Sequence, residues 1–198
     1  MRPLSILGVA GSVRQPSRSS TLVREVLDAL SARLGAPARL VELADGRAAR
    51  FAALSRDGLG PEGLEVVRAI EEADILVVGT PVYRASYTGL FKHVFDLVHH
   101  EALAGTTVVL TATGGSPLHA LVMEHQLRPL FGFFRAHTVP SAVYATEADF
   151  DGHELASAQV RDRAGRAADE AVRLAGAGLV AAARPVARPA AVSLAVPA

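Results

Sequence analysis

The chain has 198 residues, half of them hydrophobic, which is enough material for one compact domain with a real core. Its 20 basic and 20 acidic residues cancel, which excludes the broad basic face a nucleic-acid binder needs. Cysteine is absent, so thiol nucleophiles, disulfides, iron–sulfur clusters and cysteine-ligated zinc are excluded together.

Taken in chain order, the start carries one charge, Arg2, without the apolar region and cleavage site of a secretory leader. Leu4 to Ala10 is a short apolar run ending at Gly11, the pattern of a buried strand. Ser19 or Ser20 can cap a helix to about Leu34, with Leu22, Val23, Val26, Leu27 and Leu30 on one stripe. Pro37 to Leu43 reads as a second strand, and residues 44–60 as irregular. Pro61 opens a helix to Ala73. Ile75 to Gly79 has the continuous hydrophobicity of a parallel sheet centre.

A helix from Gly89 to about His99 follows the loop 80–88, and Thr106 to Ala112 is a fourth strand. Ser116 and Pro117 form a cap and first-turn pair for a helix over 117–135, which Pro129 should kink or end near residues 126–128. Val139 to Tyr144 reads as a fifth strand and Leu155 to Leu179 as a last helix. Residues 1–182 then form the domain, and the Ala/Pro/Arg-biased stretch 183–198 reads as a disordered tail. The apolar stretch Leu174 to Ala183 is about half the roughly 20 residues a membrane span needs, so a cytoplasmic protein is expected.

Strict alternation of strand and helix implies a parallel sheet with helices on both faces. Five strands fit an α/β, three-layer, flavodoxin-like fold with strand order 2-1-3-4-5. Such sheets bind ligands beyond the carboxyl ends of their strands, at the switch point. The loops after strands one, three and four should therefore be chemically unusual.

They are. The first, residues 11–21, holds five hydroxyls and two arginines between a strand end and a helix start. A helix N-terminus offers unpaired N–H groups, the loop's hydroxyls supply further donors, and Arg14 can make charge-assisted bonds to an anion. The dinucleotide glycine spacing and the P-loop lysine are both missing, so a compact terminal phosphate suits it better than a pyrophosphate. A serine-rich turn with a capped helix is the plain alternative. The second loop, Thr80 to Gly89, places two of the chain's three tyrosines beside Pro81, a flat wall for a planar ligand or simply local packing. The third, Thr113-Gly114-Gly115-Ser116, leaves backbone amides at another helix start, where they can meet developing negative charge.

At these residues a resemblance emerges. Gly-Ser-x-Arg-x-x-Ser-Arg-Ser-Ser-Thr at 11–21, Pro-Val-Tyr-Arg-Ala-Ser-Tyr-Thr-Gly at 81–89 and Ala-Thr-Gly-Gly at 112–115 resemble the NAD(P)H-dependent FMN reductases. The branch resembled most serves alkanesulfonate and methanesulfonate monooxygenases, and the likeness runs over residues 4–150. It implies that Ser12, Arg14, Ser19, Ser20 and Thr21 hold the FMN phosphate. Pro81, Val82, Tyr83 and Arg84 would line the isoalloxazine, with Thr113, Gly114 and Gly115 at its pyrimidine edge. It also implies NADH or NADPH as reductant, a flavin-dependent monooxygenase downstream, and a dimer or tetramer. Some members carry an inserted tyrosine that makes a π-bulge in the helix between subunits, and here His125 occupies that position.

Hydride transfer between nicotinamide and flavin needs stacking and alignment, so no catalytic side chain and no metal ligand is expected. Arg84 and Arg128 are the arginines available for a nicotinamide 2′-phosphate. Two other readings stay open here: a flavoprotein that keeps FMN and reduces quinones, azo compounds or metal oxyanions, and a flavodoxin-type electron carrier. The carrier reading lacks the acidic surface such proteins usually show.

Overall fold

The computed structural model describes residues 4–44 and 48–182; the tail 183–198 lies outside the described residues. Three apolar runs make the sheet centre: β1 (Ile6–Ala10), β3 (Ile75–Pro81) and β4 (Thr107–Gly114). With β2 (Ala38–Glu42) and β5 (His137–Thr138) they pair in parallel in the order β2-β1-β3-β4-β5, and β6 (Val143–Thr146) also pairs with β4. This is the expected flavodoxin-like order.

Period-two alternation sends side chains to two cores. Ile6, Ala10, Ile75, Val77 and Val109 pack with the stripe Leu22, Val23, Val26, Leu27 and Leu30 of α1 (Arg18–Leu34) and with α5 (Ala158–Ala182). The alanines 164, 167, 168 and 171 are all buried there, and Arg33 of α1 meets Asp169 of α5 at 2.6 Å. Leu7, Val9, Leu76, Val78, Val108 and Leu110 face the other way. They pack with α2 (Pro61–Glu71), α3 (Gly89–Asp96) and α4 (Arg128–Phe133). Gly79 lets α1 close on the sheet, since a Cβ there would sit 2.3 Å from a methyl of Val23.

Of the boundaries that differ from expectation, four matter here. Ser17, extended at φ −135°, caps α1 by accepting from the Ser20 amide, so Ser19 and Ser20 lie in the first turn rather than at the cap. The helix opening at Gly89 closes at Asp96, before His99. The fifth strand is split: Pro140 has no N–H for the ladder, and the break between β5 and β6 is bridged by Glu170, which accepts from the amide and hydroxyl of Ser141 at 2.7 and 2.8 Å. Leu155 opens no helix. It belongs to a hairpin of β7 (Phe150–Asp151) and β8 (Glu154–Leu155), turned at Gly152 with φ +60°, and α5 starts at Ala158.

The helix expected over 117–135 is instead three pieces. A 3₁₀ turn (Pro117–Leu121) capped by Ser116 leads into a five-residue π-turn (Met123–Leu127), and α4 resumes with Pro129 in its first turn. The Arg128 amide donates to the Met123 carbonyl, five residues back. Proline at 129 brings no N–H, so the wider turn just before it sacrifices no bond at that position.

The Thr111 hydroxyl, in the middle of β4, is fully buried without a hydrogen-bond partner among the described residues. Because an unsatisfied buried hydroxyl costs about 1–3 kcal/mol, Thr111→Val should raise the unfolding free energy by about 1 kcal/mol in a denaturant titration. A loss of stability would show that the hydroxyl is satisfied after all.

Candidate functional site

The carboxyl ends of β1, β3 and β4 open into a cleft of about 320 Å³, a small-molecule size. Residues from all three unusual loops line it: Ser12, Arg14 and Pro16–Ser19 from the first, Pro81–Tyr83 from the second, Thr113–Gly115 from the third. Of the expected site residues, Ser20, Thr21 and Arg84 lie outside this lining. Ser20 is buried in the first turn of α1, and the Thr21 hydroxyl turns back to the Ser17 carbonyl.

Hydroxyls in the first loop shape it. Ser12 Oγ donates to the Arg14 carbonyl at 2.9 Å and accepts from the Arg14 amide at 3.2 Å, pinning the backbone from which Arg14 projects. Ser19 Oγ meets Thr113 Oγ1 at 2.6 Å in a buried contact that ties the first loop to the third. The Ser20 and Thr21 amides are taken by Ser17, so the amides of Arg18 and Ser19 are the first-turn donors left for an anion. Among the described residues, no side chain pairs with the Arg14 guanidinium.

The second loop is a tight two-residue turn. Tyr83 and Ser86 exchange both backbone hydrogen bonds, at 2.9 and 3.1 Å. Between them Arg84 and Ala85 hold φ +52° and +64°, a left-handed conformation that costs non-glycine residues of order 1 kcal/mol each. Ser86 Oγ donates to Gln126 Oε1 on the π-turn at 3.1 Å, and the Val82 amide donates to the Thr113 carbonyl at 2.7 Å. Thr88 Oγ1 donates to the Gly11 carbonyl at 2.6 Å, joining the second loop to the first while capping α3. The tyrosines part ways: Tyr87 stacks on Phe91, 5.9 Å between centroids, while Tyr83 stays 42% exposed at the cleft.

Behind the third loop, Tyr144 Oη donates to the Ser116 carbonyl at 2.6 Å. Burial pushes that phenol above its ordinary range, so it remains a neutral donor. The Gly115 amide has no partner among the described residues.

Six further residues line the cleft: Pro16, Ser17 and Arg18, inside the first unusual loop but not among the residues expected to bind, and Thr146, Glu147 and His153, which sequence reasoning missed. The last three lie on or next to the β6 end and the β7–β8 hairpin, whose two-residue Gly-His turn was the available signal. Arg18 binds this edge through the Gly152 carbonyl at 2.9 Å and Glu147 Oε1 at 2.8 Å. Thr146 is held by Asp149, which accepts from its amide and hydroxyl at 2.7 and 2.9 Å. Burial works to raise the Asp149 carboxyl, but these bonds and one from Ser157 bring it below its ordinary value.

His125 is exposed on the π-turn, away from the cleft lining. Arg128 is fully engaged, with Glu124 at 2.6 and 2.9 Å and with Thr138 and the Val139 carbonyl at 2.7 and 3.1 Å. Its hydrogen bonds hold the Glu124 carboxyl below its ordinary value. Arg128 is thus a latch between α4 and β5, and Arg84 is an exposed turn residue. No group of three His, Asp or Glu that could hold a metal ion occurs among the described residues.

The lining therefore offers Arg14 and two first-turn amides at the start of α1, an apolar and aromatic edge at Pro81–Tyr83, and an amide at Gly115 without a partner among the described residues. A phosphate joined to a planar ring with polar edges, which is the chemistry of FMN, fits that set.

Comparison with known proteins agrees. The profile of the NADPH-dependent FMN reductases matches residues 4–151. An NADH-dependent FMN reductase, SfnF, of Pseudomonas fluorescens is 48% identical over 178 residues, covering 90% of this chain and 95% of the relative. An FMN reductase (NADPH) of Pseudomonas aeruginosa is 45% identical over 174 residues, covering 88% and 94%. Among solved structures, the apo form of the NADH:FMN oxidoreductase EmoB superposes with a TM-score of 0.76 at 29% identity, covering 88% of this chain and 90% of that one. Fold, cleft and sequence converge: the chain belongs to the NADPH-dependent FMN reductase family.

Proposed function

We propose that this protein reduces FMN with NADH or NADPH and releases the reduced flavin to a flavin-dependent monooxygenase of sulfonate metabolism. The observation that carries the reading is the convergence of three chemically distinct loops on one cleft. Full-length relatives named as NADH- and NADPH-dependent FMN reductases support the activity, and their SfnF and SfnE names support the sulfonate context.

In this reading Arg14 and the first-turn amides of α1 hold the phosphate, Tyr83 and Pro81 border the ring, and Gly115 N–H meets the ring edge that becomes negative on reduction. Bound FMN supplies the hydride-accepting chemistry. The chain's part is to place and clasp: Ser19–Thr113, Thr88–Gly11 and Tyr144–Ser116 lock the three loops against one another. No side chain need move a proton.

Anaerobic titration with NADH and NADPH in the presence of FMN, FAD or riboflavin, followed by filtration, tests this. Multiple turnovers with excess FMN are expected, with flavin recovered in the filtrate. Lack of nicotinamide oxidation, or flavin retained on the protein, counts against a released product.

The same reading includes self-association through the face around the π-turn. Leu118, Leu121 and Phe133, on the three pieces that include the π-turn of His125, are 85%, 63% and 67% exposed, and apolar groups left in water there favour a covering partner. Sedimentation should give a dimer or tetramer that Leu121→Glu weakens. A monomer at micromolar concentration removes this part.

A further inference from the structure

The phosphate end of the cleft holds two arginines in unlike states. Arg14 is exposed and its guanidinium has no partner among the described residues. Arg18 is already engaged by a carboxylate, Glu147 Oε1 at 2.8 Å, and by the Gly152 carbonyl at 2.9 Å. Glu147 lines the same cleft as Ser12, Arg14 and the start of α1. A negative charge paired with Arg18 therefore lines the cleft that is read as taking the phosphate.

That carboxylate has no other evident task. The turn after β6 is closed by Thr146 and Asp149, with Asp149 accepting from the Thr146 amide and hydroxyl. Glu147 sits beside that capping box with its side chain 72% exposed, and among the described residues its side chain pairs with Arg18 alone. An exposed pair of this kind adds little to stability. Its effect on an arriving dianion is different in kind. Glu147 neutralises one of the two arginines and repels the phosphate directly.

We propose that Glu147 is a built-in competitor for the flavin phosphate: it occupies Arg18 in the empty protein, lowers affinity for FMN, and sets how fast flavin leaves. This rests on the reading of the cleft as an FMN site and deepens it, because a flavin handed to another enzyme must be held loosely. The device acts on the phosphate and not on the ring. Riboflavin, with the same ring and no phosphate, is indifferent to it.

The test uses the full chain and two variants in flavin fluorescence titrations with FMN and with riboflavin. Glu147→Gln preserves shape and can still accept from Arg18 but carries no charge. It should bind FMN about three- to tenfold more tightly, the scale of one screened charge pair near a surface, and release it more slowly by a similar factor in stopped-flow dilution. Riboflavin affinity should stay the same, and the FMN gain should shrink at high salt. Arg18→Gln, which leaves Glu147 unopposed, should weaken FMN relative to riboflavin. Unchanged or weaker FMN binding by Glu147→Gln overturns the proposal, as does an equal gain for riboflavin or an Arg18→Gln variant with normal FMN preference. If the unmodified protein itself shows no preference for FMN over riboflavin, the phosphate reading fails first and takes the competitor with it. If that preference is present and Glu147→Gln leaves it unmoved, only the competitor falls.

Discussion

Alanine at Gly114 should cost tenfold or more in kcat/KM for FMN, and removing the Tyr144 hydroxyl from the same protein should restore most of it. A Cβ at Gly114 would lie 2.3 Å from Tyr144 Oη, far inside contact, but 3.3 Å from Cζ. The hydroxyl is fixed there by its bond to the Ser116 carbonyl, so it cannot simply swing away. Overpacking of this kind costs about 1–3 kcal/mol, relieved by displacing either Tyr144 or the third loop. Shifting the loop misplaces the Gly115 amide, and displacements near 1 Å at a reacting centre can cost about a hundredfold. Tyr144→Phe alone should lose about 1 kcal/mol of stability from one hydrogen bond and keep most activity. In the double variant the added methyl faces a ring carbon and the clash falls to a tight contact. Full activity in Gly114→Ala, or a double variant as impaired as the single, would show that Tyr144 does not buttress this loop.

That support was invisible in the sequence for a physical reason. Tyr144 could be placed on a strand, but what its hydroxyl reaches depends on how β6 lies beside β4 and on where the chain turns at Ser116. The same holds for Glu147 and His153, brought to the cleft from more than a hundred residues beyond the first loop. What was legible depended on local rules. Ile75–Val78 and Val108–Leu110 are continuous apolar runs that have one comfortable place, the centre of a doubly covered sheet. Once the strand order is known, the switch-point rule alone selects three loops out of the whole chain.

Legibility failed where several residues could do one job. Ser17, Ser19 and Ser20 are all competent caps, and only the extended backbone at Ser17 decides among them. By position alone Tyr83 and Tyr87 are equivalent candidates for an aromatic wall, and only the family resemblance singles out Tyr83. Packing on Phe91 removes Tyr87, and the reverse turn at Arg84–Ala85 leaves Tyr83 at the cleft. Pro140 is a ladder breaker by its chemistry, yet it sits inside the strand-like run Val139 to Tyr144, whose pattern masks the break.

Arg14→Ala should raise the KM for FMN about ten- to a hundredfold and leave riboflavin nearly unaffected. Hydrogen bonds between charged partners contribute about 1.5–3 kcal/mol, which sets that range. Arg14 is placed to contribute near the upper end because nothing has to be broken first: its backbone is already pinned by Ser12, and its guanidinium has no competing carboxylate among the described residues. Arg18, held by Glu147 and Gly152, must share its charge and should matter less. The phosphate is remote from the ring atoms that receive hydride, so its binding energy is the same before and during transfer, and the loss belongs in KM rather than kcat. Arg14→Lys keeps the charge without the planar fork and should recover part of the affinity. Screening gives a second signature, because an exposed arginine loses grip as salt rises, and the gap between the natural protein and Arg14→Ala should narrow accordingly. An equal loss for FMN and riboflavin would place Arg14 at the ring or in the fold. The anion seat would then rest on the helix start alone.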